Sequence, residues 1–154
     1  MLRFLLLITF AFKAYASAIP LANDLYQDAK DNNLPILIMF SVDDCLYCEK
    51  IKKDFLEPAV NIGIYKDKVI IRNINNSSNK VINFFDNRNI TTDAIAERYN
   101  VNFYPTIVLV DTNGRRLAHK IVGIANEEYY WYELDRLVEI GSRRFNARLV
   151  NYGK

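Results

Sequence analysis

The sequence predicts an α/β domain in which a central mixed β-sheet is flanked by helices, in the order α-β-α-β-α-β-β-α. Three observations carry that expectation. The near-continuous apolar run at 36–40 reads as a strand buried on both faces, and 69–74 and 106–110 read as further strands. Amphipathic stretches with helical spacing separate these runs, so a strand reached after a helix is expected to be parallel to the one before it. Finally, Asp111-Thr112-Asn113-Gly114 leads into a further apolar segment at 117–122 and signals a hairpin, which supplies an antiparallel pair.

Residues 1–18 have the pattern of a signal peptide. Met1-Leu2-Arg3 is a short basic start, residues 4–12 are apolar except for Thr9, and small residues in Ala14-Tyr15-Ala16 and Ala16-Ser17-Ala18 suit cleavage after 16 or 18. The apolar stretch is far shorter than the roughly 20 residues of a membrane span, so no stable membrane insertion is expected. Without residues 1–18 the basic count falls from 20 to 18 and equals the 18 acids. The remaining chain is formally neutral, has no basic stripe beyond Arg143-Arg144, and gives no reason to expect a nucleic-acid partner. Its length suits one domain, read as 19–141, with 142–154 as a C-terminal extension.

Leu21, Ala22, Leu25 and Ala29 recur at helical spacing until Asp31-Asn32-Asn33 ends the pattern, so they predict an opening amphipathic helix. Pro35 then starts the first strand. After the cysteines, Cys48, Ile51, Phe55 and Leu56 form an inward stripe, and Pro58 is expected to end or kink that helix. The segment 75–89 is rich in Asn and Ser and reads as a loop with one short helical turn. Residues 92–99 supply a helix capped by Thr92. Asn126 caps a closing helix to about Ile140, with Tyr130, Leu134, Leu137 and Val138 inward and two rings of Tyr129-Tyr130-Trp131-Tyr132 facing out.

Cys45 and Cys48 are the two cysteines of the chain, placed just after the first central strand. At the mouth of a helix, Cys45 faces unpaired backbone N–H groups and the positive end of the helix dipole, which favour thiolate over thiol. Cys48, one turn deeper, is placed to attack a mixed disulfide and release the substrate. A two-residue loop gains little from a structural disulfide, so the pair is better explained by redox chemistry. A zinc site needs about four ligands, and the lone His119 lies far away in sequence, so neither metal nor cofactor is expected. Asp43 and Asp44 are candidates for tuning the Cys45 pKa upward against the dipole.

This order of elements, with Cys45-Leu46-Tyr47-Cys48 after the first strand and Tyr104-Pro105-Thr106 before a hydrophobic strand, resembles the thioredoxin superfamily from about residue 21 to 140. The resemblance implies a thioredoxin-like fold. It also implies a cis Pro105 beside the dithiol and a substrate-binding surface made by Tyr104, Pro105, Leu46, Tyr47 and Gly123. The run Cys48-Glu49-Lys50 with Lys53, Phe55-Leu56, Pro58 and Val60 resembles exported bacterial proteins of the SoxW and DsbD carboxy-terminal type, which implies a periplasmic location. Asp44 and Leu46-Tyr47 depart from thioredoxin itself, and Met39 stands where thioredoxin buries an aspartate. Glu49 or water is then the candidate proton acceptor for Cys48. An insertion around 75–89 separates the dithiol from Pro105.

The expectation is therefore a monomeric, exported thiol-disulfide oxidoreductase that reduces disulfides of proteins or small molecules and is recharged by an upstream electron donor. Disulfide isomerase is an alternative, because Tyr47 before the second cysteine resembles that branch. A thioredoxin-fold binding or chaperone module without turnover is another.

Overall fold

The computed structural model describes residues 19–152; the expected signal peptide, 1–18, lies outside them. Helix α1 spans Leu25–Asn32, strand β1 Ile36–Ser41, helix α2 Leu46–Ile51 and helix α3 Glu57–Ile62, with a π-helical turn, Lys52–Leu56, between the last two. Strand β2 is Ile70–Asn75, β3 Val81–Asn83 and β4 Asn89–Thr91. They are followed by helix α4 at Thr92–Arg98, β5 at Thr106–Val110, β6 at Ile121–Val122 and the long helix α5 at Glu127–Tyr152.

The main sheet has the order β2-β1-β5-β6. It is mixed: β2 is parallel to β1, whereas β5 is antiparallel to both β1 and β6. Every residue of β1 and β5 is buried, as expected of strands covered on both faces. Because successive side chains point to opposite faces, the two strands feed two cores. Leu37, Met39, Ile107 and Leu109 enter one with Cys48, Phe55 and Tyr130, under α2, α3 and α5. Ile36, Ile38, Phe40, Val108 and Val110 enter the other with Leu25, Ile95 and Tyr99, under α1 and α4. Complete burial of each such side chain is worth about 1.5–3 kcal/mol, so these faces hold the layers together.

Several elements differ from the sequence expectation, each for a physical reason. Leu21 and Ala22 do not open α1. They lie extended along the sheet edge, where Ala22 N–H donates to Asn73 O at 2.8 Å, and Asp24 caps α1 by accepting the Gln27 N–H at 2.7 Å. Of the two outcomes expected at Pro58, the end of the helix does not occur, since helical structure continues through it to Ile62. The π turn lets Glu57 N–H reach back five residues to Lys52 O, and Pro58, which has no N–H to give, sits in the first turn of α3.

Segment 75–89 holds a 3-10 turn, Asn76–Ser78, and also β3, which forms an antiparallel hairpin with β4 at its end, Ile82 paired to Ile90. Thr91 rather than Thr92 caps α4, accepting the Ala94 N–H. The strand expected at 117–122 is interrupted. Leu117 N–H still donates to Leu109 O at 2.9 Å, but regular pairing resumes only at Ile121. Helix α5, whose first turn is held by Asn126 Oδ1 on the Glu128 N–H, runs through Gly141 instead of stopping near Ile140. Its second half buries Phe145, and Arg148 pairs with the buried Asp111 at 2.5 Å.

Candidate active site

Strand pairing brings the candidate residues to one end of the sheet. Phe40, the penultimate residue of β1, lies opposite Thr106, the first of β5, so the loop leaving β1 and the Tyr104-Pro105 segment entering β5 emerge side by side. Gly123 N–H then donates to Pro105 O at 2.8 Å, which fixes Gly123 at the same end. The Tyr104–Pro105 bond is cis. Gly123 has φ +64°, a conformation that glycine adopts freely, and a Cβ there would meet nothing within 4 Å among the described residues. The glycine is thus required by its backbone and leaves the approach to Pro105 open.

The loop between β1 and α2 is held from both sides. Ser41 Oγ donates to Asn73 Oδ1 at 2.9 Å beneath it. Asp43 N–H donates to Ser77 Oγ at 2.8 Å, and Asn75 Nδ2 to the Asp43 carboxylate at 2.7 Å. Asp44 turns the chain with φ +54°. The result places Cys45 as the cap of α2: its Sγ accepts the Cys48 N–H at 3.1 Å. Cys45 is half-buried and Cys48 only 1% exposed, and the two are joined in a disulfide. A sulfur at this position gains a backbone donor and the helix dipole, both of which stabilise negative charge.

Cys48 points into the apolar core that also holds the fully buried Met39. Glu49, one residue on, cannot share its face of the helix. Its exposed carboxylate pairs instead with Lys52 at 2.9 Å and Lys53 at 3.9 Å. An open depression of about 500 Å³ lies beside Cys45, walled by Asp43, Asp44, Glu49 and Lys52 among others. The charge around the sulfur is therefore mixed, with Lys52 set among three acids.

On the outer side, Leu46, Tyr47 and Phe103 are 86%, 62% and 71% exposed. Phe103 belongs to the turn entering β5, where its carbonyl accepts from Thr106 Oγ1 at 2.7 Å. Burial, aided by the Asp93 charge, raises the Tyr104 hydroxyl pKa. His119 is exposed and lines a different cavity. Among the described residues no cluster of three or more His, Cys, Asp or Glu could hold a metal ion. Sequence reasoning missed Lys52, Phe103 and the Asn75 and Ser77 clamp on Asp43. Adjacency to Tyr104 was the available signal for Phe103, and nothing local marked Lys52.

Residues 22–137 match the thioredoxin-like domain family, and the chain belongs to it. Among curated proteins none matches the sequence. The fold is similar to that of a thioredoxin-fold protein from Helicobacter pylori, at 21% identity and TM-score 0.58, over 90% of this chain and 88% of that one. It is also similar to a DsbH oxidoreductase, at 15% identity and TM-score 0.56, over 89% and 95% of the two chains. A third likeness is to oxidised mitochondrial thioredoxin 3 from Saccharomyces cerevisiae, at 21% identity and TM-score 0.52, over 80% and 98%. A thioredoxin-like domain carrying a Cys-x-x-Cys disulfide has the general equipment of a thiol-disulfide oxidoreductase.

Proposed function

We propose that the protein is an exported reductase of protein disulfides, released into the periplasm by cleavage of its signal peptide after residue 16 or 18. The observation that carries this reading is Cys45 itself: a half-exposed sulfur at a helix mouth, accepting the Cys48 N–H at 3.1 Å, beside a buried partner. In the reduced protein the Cys45 thiolate attacks one sulfur of a substrate disulfide. That S–S bond breaks, and the departing thiolate takes up a proton. Cys48, as thiolate, then attacks Cys45 of the mixed disulfide and frees the second substrate thiol. Two electrons have passed to the substrate, and the protein is left with the Cys45–Cys48 disulfide seen in the structure. An upstream dithiol donor restores the reduced form.

Leu46, Tyr47, Phe103, Tyr104, Pro105 and Gly123 are the proposed substrate-binding edge, with Asp43, Asp44 and Glu49 tuning the thiolate. A Cys48→Ala variant should accumulate mixed disulfides through Cys45 in cells, and Cys45→Ala should not. Equal trapping by both variants would contradict the role assignment. The exposed apolar rim of Leu46, Tyr47 and Phe103 also favours a second reading, a binding module without turnover. Multiple-turnover reduction of a disulfide protein separates the two.

A further inference from the structure

Beyond Gly123, the end of the sheet continues into a groove. Strand β6 is terminal in the four-stranded sheet, so one of its edges has no partner strand among the described residues. A cavity of about 370 Å³ lies between this strand and α5. Its floor is apolar, from Ile121, Leu137 and Ile140. Its rim carries His119, Lys120, Arg136 and Arg144 against the single acid Glu133.

With 20 basic and 18 acidic residues in the whole chain, so one-sided a rim reflects placement rather than composition. Lys120 donates to Asn100 O, and Arg144 Nη1 donates to Leu117 O at 2.7 Å, so two of the cations are held in place by backbone. The His119 and Arg136 side chains make no hydrogen bond or ion pair among the described residues. The groove ends one residue from the active-site end, because Val122 lines it and the next residue, Gly123, bonds Pro105 O.

We propose that this groove receives an extended, acidic segment of the protein substrate, running on from the disulfide that Cys45 attacks. The inference rests on the reductase reading above. An extended segment can bond the open edge of β6. Its alternate side chains then fall either on the apolar floor or on the rim, where carboxylates meet guanidinium groups that bind them with directed hydrogen bonds. A lysine-bearing segment meets like charge instead.

Two measurements keep this inference separate from the reading it rests on. The oxidised protein is titrated with a short cysteine-free peptide of alternating Glu and Val, and His119, the single histidine of the chain, gives one ring signal to follow. That signal and the Ile121 and Leu137 methyl signals should move, while a Lys/Val peptide of equal length leaves them in place. Arg136→Glu should weaken binding of the Glu peptide about fivefold at low ionic strength, an effect that salt removes. Signals that stay fixed, or that respond equally to both peptides, overturn the groove assignment. Separately, the reduced protein is given hydroxyethyl disulfide, which is uncharged and too small to fill the groove. Failure to reduce it overturns the oxidoreductase reading, whereas the peptide titration still decides the groove.

Discussion

The two sulfurs of Cys45 and Cys48 occupy very different surroundings although only two residues separate them. Cys45 is partly open and holds a backbone donor, while Cys48 lies among Met39, Ile51 and Phe55. In the reduced protein Cys45 should react with iodoacetamide at least about tenfold faster than Cys48 at neutral pH, read by peptide mass spectrometry. Equal rates would exchange the proposed roles. Asp43 and Asp44 permit a second residue-scale test. Asn at 44 keeps the φ of +54°, since Asn tolerates the left-handed region, so a double Asn variant changes charge with little strain. It should lower the Cys45 pKa and make the dithiol more oxidising in a glutathione titration. An unchanged or more negative potential would show that Lys52 and solvent already cancel the two acids. The cysteines were legible in the sequence because their spacing marks them, and Pro105 and Gly123 through the resemblance to the thioredoxin superfamily. Lys52 was not, because its place in the depression depends on how the helix is rotated against the sheet.

At the scale of elements, long apolar runs were legible and short polar ones were not. The runs behind β1, β2 and β5 each bury enough surface to announce a strand. The β3–β4 hairpin does not: Val81-Ile82-Asn83 and Asn89-Ile90-Thr91 bring few apolar groups, and outside contacts hold them, such as Asn83 Nδ2 to the Asp24 carboxylate at 3.2 Å. Helix α5 runs past its expected end near Ile140 and through Gly141, which does not terminate it. The glycine is instead a point of close approach. A Cβ there would stand 2.1 Å from Leu109 Cδ2, on a fully buried side chain of β5. Gly141→Ala should therefore destabilise the protein by about 1–3 kcal/mol in urea denaturation, even though alanine favours an isolated helix by about 1 kcal/mol. A gain in stability would mean that Leu109 can move aside without loss.

The whole molecule draws its stability from two cores on opposite sides of one sheet, and buried phenols link that stability to alkaline pH. Burial raises the pKa of Tyr65, Tyr99 and Tyr130 well above the ordinary range. The hydrogen bond of Tyr65 to Asp135 reinforces the shift, while Tyr99 donates to Gly114 O at 2.9 Å. Below about pH 10, the ordinary value for tyrosine, these phenols are protonated in folded and unfolded chains alike and their contribution is constant. Above it the unfolded chain loses its protons first, so it binds fewer than the folded chain and stability falls as pH rises toward the raised pKa values. Tyrosinate absorbance from these buried rings should thus rise only as the helical signal is lost. Tyr130 isolates the effect, because its hydroxyl is buried without a hydrogen-bond partner among the described residues. Tyr130→Phe should stabilise the fold by about 1 kcal/mol at neutral pH by removing an unsatisfied polar atom, and by more above pH 10, moving the alkaline midpoint upward. A variant that unfolds at lower pH than the parent would show that the Tyr130 hydroxyl is satisfied in solution and that its burial does not drive the alkaline transition.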